Sequence, residues 1–284
     1  MTERFSSDQL MEVVKASPAA VARHDKESWV ALFSRHAVIE DPVGSKPHHN
    51  GLHDPRAGVR GSAPLERFFD TFIAPNEISF HVERDVVASP FVVRDVTIEL
   101  VMKAGLKVQV PMHLLYEICD EDGAPKIAHL RAHWELVPMV RQVLANGWPG
   151  VLTISSLGMR MAVNQGLGAI LGFCRGVIGI HRAGKDTVTS FVNAVNERNP
   201  NALAALFDPR NKGISFPGAE AILDPAALCR GFDGTLSVSK LISSGYVTSC
   251  TCSVRSGDPE LGGVGFFEFN SRTRKLHSVR LYCA

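Results

Sequence analysis

The stretch Ile39-Glu40-Asp41-Pro42-Val43-Gly44 decides how this chain is read. A strand-like run ends there in a carboxylate, and the Pro and Gly that follow predict a short turn, so Asp41 is held at a strand end. Upstream lies the short amphipathic stretch Trp29-Val30-Ala31-Leu32-Phe33, with Asp25 placed to cap it. Before that, Ser7-Asp8 predicts the cap of a helix over 9–16, and Ser17-Pro18 predicts a second helix with Pro at its first position. Downstream, Ser62-Ala63-Pro64 predicts another helix start. Strand-like runs over 78–88, 92–103, 107–119 and 126–137 follow, with Gly105 and Gly123 in the turns between them.

The bulk numbers bound the class. At 284 residues the chain exceeds an average domain, which predicts two. Hydrophobic residues make up 45% and charged residues 21%, with a net charge of +1, the profile of an ordinary globular protein. Without a basic excess, no nucleic-acid partner is expected. The first residues carry mixed charges and no apolar signal core, which predicts a cytoplasmic location. The cysteines at 119, 174, 229, 250, 252 and 283 are scattered, and their spacing suits reduced thiols better than zinc or disulfides.

The order of elements occurs twice. Residues 186–284 repeat helix, turn, helix start and strands, with Gly213-Ile214-Ser215-Phe216-Pro217-Gly218 standing where the Asp41 turn stands in residues 1–140. Phe216 replaces the carboxylate, so only the first half keeps a candidate base. Residues 141–185 connect the halves and carry five Lys/Arg and no Asp/Glu. Within them, 148–182 is apolar and glycine-rich, and Gly168, Gly172 and Gly176 form a small-xxx-small stripe that admits close packing. The connector reads either as a helix packed between domains or subunits or as a peripheral helix on an anionic membrane surface. Arg160 and Arg175 interrupt it too soon for a membrane span.

Helices, then Asp-Pro at a strand end, then a long antiparallel meander closing on Ala132-His133-Trp134: this order resembles the ketosteroid isomerase and SnoaL-like branch of the nuclear-transport-factor-2-like superfamily, here in tandem. The resemblance implies an α+β fold of two cone-shaped domains, each a curved antiparallel sheet packed on helices, joined by the glycine-rich helical connector. It also implies cofactor-free chemistry, with Asp41 at the position of the family's proton-shuttling base and Trp134 at that of its pocket tryptophan. The family's oxyanion tyrosine falls on Ser17, two neighbouring tyrosines on Phe33 and Phe69, and its protonated aspartic acid on Leu115. The usual oxyanion donors are therefore missing. Alternation along the strand puts His113 on the face of Leu115, which makes His113 the candidate replacement donor. A core or interface histidine is the competing reading of His113, and a carboxylate capping its own turn that of Asp41.

By the same alternation Leu130, Ala132 and Trp134 line a pocket, with Val96, Ile98 and Leu100 on a neighbouring strand and Phe68 or Phe69 below. His129, Arg131 and His133 face the opposite side. An apolar cavity with few polar groups suits a hydrophobic carbonyl compound, steroid- or polyketide-like. His48, His49 and His53, with Asp54, match no standard metal spacing and read as a solvated or lid loop. Three functions are then open: a cofactor-independent isomerase, a non-catalytic binder of a hydrophobic ligand, and an interaction scaffold that docks through 148–182. Related single-domain proteins usually dimerise, so the tandem either imitates that dimer internally or forms a homo-oligomer.

Overall fold

The computed structural model describes residues 5–50, 64–102, 105–216, 222–258 and 260–284. His53 and Asp54, the Ser62-Ala63 helix start and Pro217-Gly218 lie outside the described residues. The first lobe runs α1 (Ser7–Ala22), α2 (Lys26–Ala31), β1 (Phe33–Glu40), β2 (His48–His49) and α3 (Pro64–Phe68), the last continued by a π turn (Phe69–Ile73). Four long strands follow: β3 (Glu77–Ala88), β4 (Phe91–Met102), β5 (Leu106–Glu121) and β6 (Ala124–His133). The connector is α4 (Leu136–Leu144), α5 (Trp148–Gln165) and α6 (Leu167–Cys174). The second lobe runs α7 (His181–Asn196), α8 (Pro200–Ala205), β7 (Ile214–Ser215), β8 (Ile222–Leu223) and α9 (Pro225–Gly231). It ends with β9 (Thr235–Ser244), β10 (Val247–Arg255), β11 (Leu261–Phe269) and β12 (Leu276–Cys283).

The internal repeat is exact in topology. The sheets are ordered β2-β1-β6-β5-β4-β3 and β8-β7-β12-β11-β10-β9, and in each the strand before the base position runs parallel to the last strand of the lobe. Both sheets are open. The order of each runs from one edge strand to the other without closing, and one edge is a strand of only two residues. The expected cone-shaped domains with curved sheets are thus corrected to two open, helix-packed sheets.

Helix α1 departs from the sequence reading in two respects. Ser6 rather than Ser7 caps it, in a reciprocal capping box with Gln9, and the helix continues through Pro18 instead of restarting there. Its buried residues Leu10, Val14, Ser17 and Val21 recur at helical spacing, and burying that single stripe outweighs the hydrogen bond that Pro18 cannot donate. Asp25 caps α2 as its position suggests, accepting from the Ser28 N–H at 3.0 Å.

The two sheets face one another. Val86, Val93 and Leu115 from the first pack on Val264, Phe266 and Tyr282 of the second. Beside this apolar seam lies a buried polar cluster. Lys240 Nζ donates to Asp95 Oδ1 at 2.6 Å and to the Val96 carbonyl at 2.8 Å, and Thr251 Oγ1 donates to Asp95 Oδ2 at 2.5 Å. His113 completes it, with Nδ1 2.8 Å from Ser249 Oγ and Nε2 3.3 Å from Thr251 Oγ1. Burial first, then the Lys240 cation, hold the His113 imidazole down at a pKa of about 3, so it is neutral at ordinary pH. His133, which faces the same seam, packs against Phe266 with the rings tilted at a centroid distance of 4.7 Å.

Glycine contacts also join the lobes. Gly44 and Gly245 both have positive φ and touch backbone to backbone, and a Cβ on Gly245 would stand 2.8 Å from Gly44 Cα. Ser244 Oγ donates to the Val43 carbonyl at 2.8 Å, so the second lobe clamps the turn that follows Asp41. The glycine stripe of the connector serves the same turn from another side. Gly172 lies against Lys46 and Gly176 against Pro42, and the Lys46 N–H donates to the Gly172 carbonyl at 3.0 Å. Among the described residues no helix is long and apolar enough to cross a membrane.

Asp95 is almost fully buried, and Lys240 is the cation that bonds to it. Removing one member of such a pair leaves an uncompensated charge. Lys240→Met should lower the stability by about 3–5 kcal/mol, read as a fall in the urea midpoint. An unchanged midpoint would mean that this cluster does not hold the lobes together.

Candidate functional site

A cavity of about 160 Å³ lies between the first sheet and its helices. Its floor is Val110, Met112, Leu114 and Tyr116 of β5, with Ile98 and Leu100 of β4 and Leu130 and Ala132 of β6. Phe68, Phe72 and Ile73 close one side, and Ser17 and Val21 of α1 another. The connector forms the cover: Met139 of α4, Leu157 and Arg160 of α5, and Phe173 of α6, whose ring stacks on Phe72 at 5.6 Å. The cover is pinned down where the Asn164 and Gln165 amides both donate to Thr71 Oγ1 at 3.1 Å.

Asp41 reaches this cavity from the end of β1, and the turn after it is tied to β6 by the Val43 N–H bond to the Ala132 carbonyl at 2.9 Å. Trp134 Nε1 donates to Asp41 Oδ1 at 2.5 Å. Burial raises the Asp41 carboxyl to a pKa of about 6, against the opposing pull of the Trp134 bond. Such a group is ionised at neutral pH and still basic enough to take a proton.

His113 does not face Asp41. The expected pairing of the two is corrected by the register of the β5–β6 hairpin. An unbroken hairpin counted from the Asp120–Gly123 turn would set Leu115 opposite Leu130 and His113 opposite Ala132. Instead the register slips by one between Glu117 and Ile118, because Ala128 is passed over as a bulge. Tyr116 therefore pairs with Leu130 and Leu114 with Ala132, while Leu115 and His113 turn to the second lobe with Arg131 and His133. A shift of one residue exchanges the two faces of a strand.

Of the other expected lining residues, Ile98, Ala132 and Trp134 line the cavity. Val96 is buried in the first core without reaching it. Phe33 and Phe69 are likewise a layer back, packed on Trp29 at centroid distances of 4.7 and 5.6 Å. Leu115 belongs to the seam between the lobes. His48 is half-buried rather than free in solvent: it sits edge-on to Phe68 at 4.9 Å, and burial followed by the Lys46 charge lowers its pKa to about 4, while His49 is exposed.

Tyr116 is the residue that reading by sequence missed. Its side chain is buried at the cavity and hydrogen-bonded to Ser17, whose Oγ also accepts from Trp29 Nε1 at 3.2 Å. Burial pushes the phenol up to about 12, with Arg94 opposing, so it stays protonated and able to donate. The signal was the single tyrosine of that strand, hidden by the assumed register. In the second lobe Phe216 takes the base position and packs on Phe232 at 6.1 Å. Among the described residues no three His, Cys, Asp or Glu gather as for a metal ion.

The raised pKa has a cost in stability. A carboxyl whose folded pKa lies above its unfolded value leaves stability intact below about pH 3.8 and subtracts from it as pH rises through about 6. Asp41→Asn should therefore match the wild type near pH 4 and exceed it by up to about 3 kcal/mol at pH 8. Urea denaturation at both pH values measures the difference, and equal stabilities at pH 8 would count against a buried, strained carboxylate.

The sequence model of a SnoaL-like domain matches residues 14–130, the span from α1 to β6. No curated protein sequence matches the chain. Among solved structures, a Mycobacterium tuberculosis protein in complex with estradiol-17β-hemisuccinate is similar at 25% identity and a TM-score of 0.36, over 46% of this chain and 96% of that one. A Δ5-3-ketosteroid isomerase from Mycobacterium sp. is similar at 24% identity and 0.36, over 45% and 95%. An epoxide hydrolase of the LEH-like type from M. tuberculosis reaches 19% and 0.38, over 52% and 96%.

Proposed function

We propose that the first lobe, whose residues 14–130 match the sequence model of a SnoaL-like domain, works as the ketosteroid isomerase branch of the nuclear-transport-factor-2-like superfamily does: it binds a hydrophobic carbonyl compound and moves a proton beside the carbonyl, without a cofactor. The observation that carries this reading is the Asp41 carboxylate, set in an apolar cavity with its pKa raised to about 6 and oriented by Trp134. Apolar walls bind a steroid- or polyketide-like skeleton through burial of its surface, and few polar groups remain to fix its orientation.

In the first step Asp41 takes a proton from the carbon next to the carbonyl; the C–H pair moves to make the enolate, and the carboxyl becomes neutral. Tyr116 donates its hydroxyl hydrogen to the oxygen where charge develops, with Ser17 and Trp29 behind it as a chain of donors. In the second step Asp41 returns the proton at the far end of the dienolate, which shifts the double bond. No atom is gained or lost, so the net change is an isomerisation. Tyr116 takes the place of His113 in this reading because it shares the cavity with Asp41.

Incubation with an apolar β,γ-unsaturated ketone, followed by the absorbance of the conjugated enone, tests this. Asp41→Asn should lower the rate by about 10²–10⁴-fold, and Tyr116→Phe by about 10²–10³-fold. The rate of the wild type should rise with pH and level off above about 6, as the base ionises. If Asp41→Asn turns over as fast as the wild type, Asp41 is not the base. Tight binding of the ketone with no turnover in the wild type would leave a binding protein.

A further inference from the structure

Arg160 is a cation in the cavity for which the described residues provide no counter-ion. It enters from α5, outside the part of the chain that matches the SnoaL-like domain, and lines the cavity beside Leu157. Nη1 donates to Ser156 Oγ, one helical turn away, at 2.9 Å. The buried Nε has no hydrogen-bond partner among the described residues. Among the described residues no carboxylate forms an ion pair with it. Asp41 is not its counter-ion either: burial and the Trp134 bond account for the shift of that carboxyl, with no cation acting on it. Desolvation lowers the pKa of Arg160, as expected for a guanidinium left without an anion.

An unsatisfied buried N–H is costly, and a guanidinium presents its donors in a planar fork that fits a carboxylate. Of the residues lining the cavity with it, Leu157, Phe72 and Phe173 offer no acceptor from their side chains, and the Asn76 amide donates to the Phe72 carbonyl at 2.8 Å. We propose that Arg160 is a specificity residue, and that the ligand of this cavity is an apolar skeleton bearing a carboxylate, which Arg160 pairs with beneath the connector. This rests on the reading of the cavity as a site for a hydrophobic compound. It gives the connector a role in recognition: the helices that join the lobes supply the one cation of the cavity wall among the described residues.

The test uses the full chain and two probes that differ only in charge, 3-oxoandrost-4-ene-17β-carboxylic acid and its methyl ester, titrated calorimetrically at pH 7.5. The wild type should bind the acid about ten- to a hundredfold more tightly than the ester. Arg160→Met should abolish that preference by weakening the acid alone, and its unchanged affinity for the ester shows that the cavity is intact. Arg160→Lys, which keeps the charge and loses the fork, should fall between. Equal binding of acid and ester by the wild type, or a preference that survives in Arg160→Met, overturns the role of Arg160 and leaves the hydrophobic site standing. Failure of both probes to bind the wild type removes the hydrophobic-ligand reading for this skeleton, and the inference with it.

Discussion

From Met112 to Tyr116 strand β5 is buried on both faces, and the rest of the molecule depends on that constraint. One face of Met112, Leu114 and Tyr116 closes the first core and floors the cavity. The other, His113 and Leu115, meets the second sheet. A polar cluster in such a seam is tolerable only when each member is bonded, and Asp95, Lys240, Thr251, Ser249 and His113 satisfy one another. The second lobe thus gives the first sheet a dry back, and the first lobe is free to leave a cavity at its front.

The same packing fixes the Asp41 end of the cavity. The turn after Asp41 is held by Gly245 and Ser244 of the second lobe, by the glycine stripe of α6 and by β6. A carboxylate in an apolar cavity raises the energy of its own ionised form, so the scaffold around it must not relax to let water in. Three separate elements converge on Pro42, Val43, Gly44 and Lys46 to resist that. The second lobe, with Phe216 in place of a base, is spared this cost. Its contribution is support, and the contrast between Asp41 and Phe216 divides the labour of two lobes with one topology.

Much of this was legible in the sequence. Asp25 as a cap, Asp41 at a strand end, Trp134 beside it and the repeat centred on Phe216 all follow from local signals, because caps, turns and strand order are written in neighbouring residues. Two kinds of statement failed. The continuation of α1 through Pro18 required knowing which stripe the core would bury. The partner of Asp41 required the facing of β5: the exposed Lys107, Gln109 and Pro111 alternate with the buried Leu106, Val108 and Val110 and carry His113 away from the cavity, a local signal that a count back from the hairpin turn passes over.

The sequence by itself therefore determined the order of elements, the duplication and the place of Asp41 at a strand end. Only the tertiary structure decided that Tyr116 rather than His113 shares its cavity, and that Arg160 of the connector joins them. The physical reason is a single bulge at Ala128: one unpaired residue slips the register and exchanges the two faces that a count from the hairpin turn assigns.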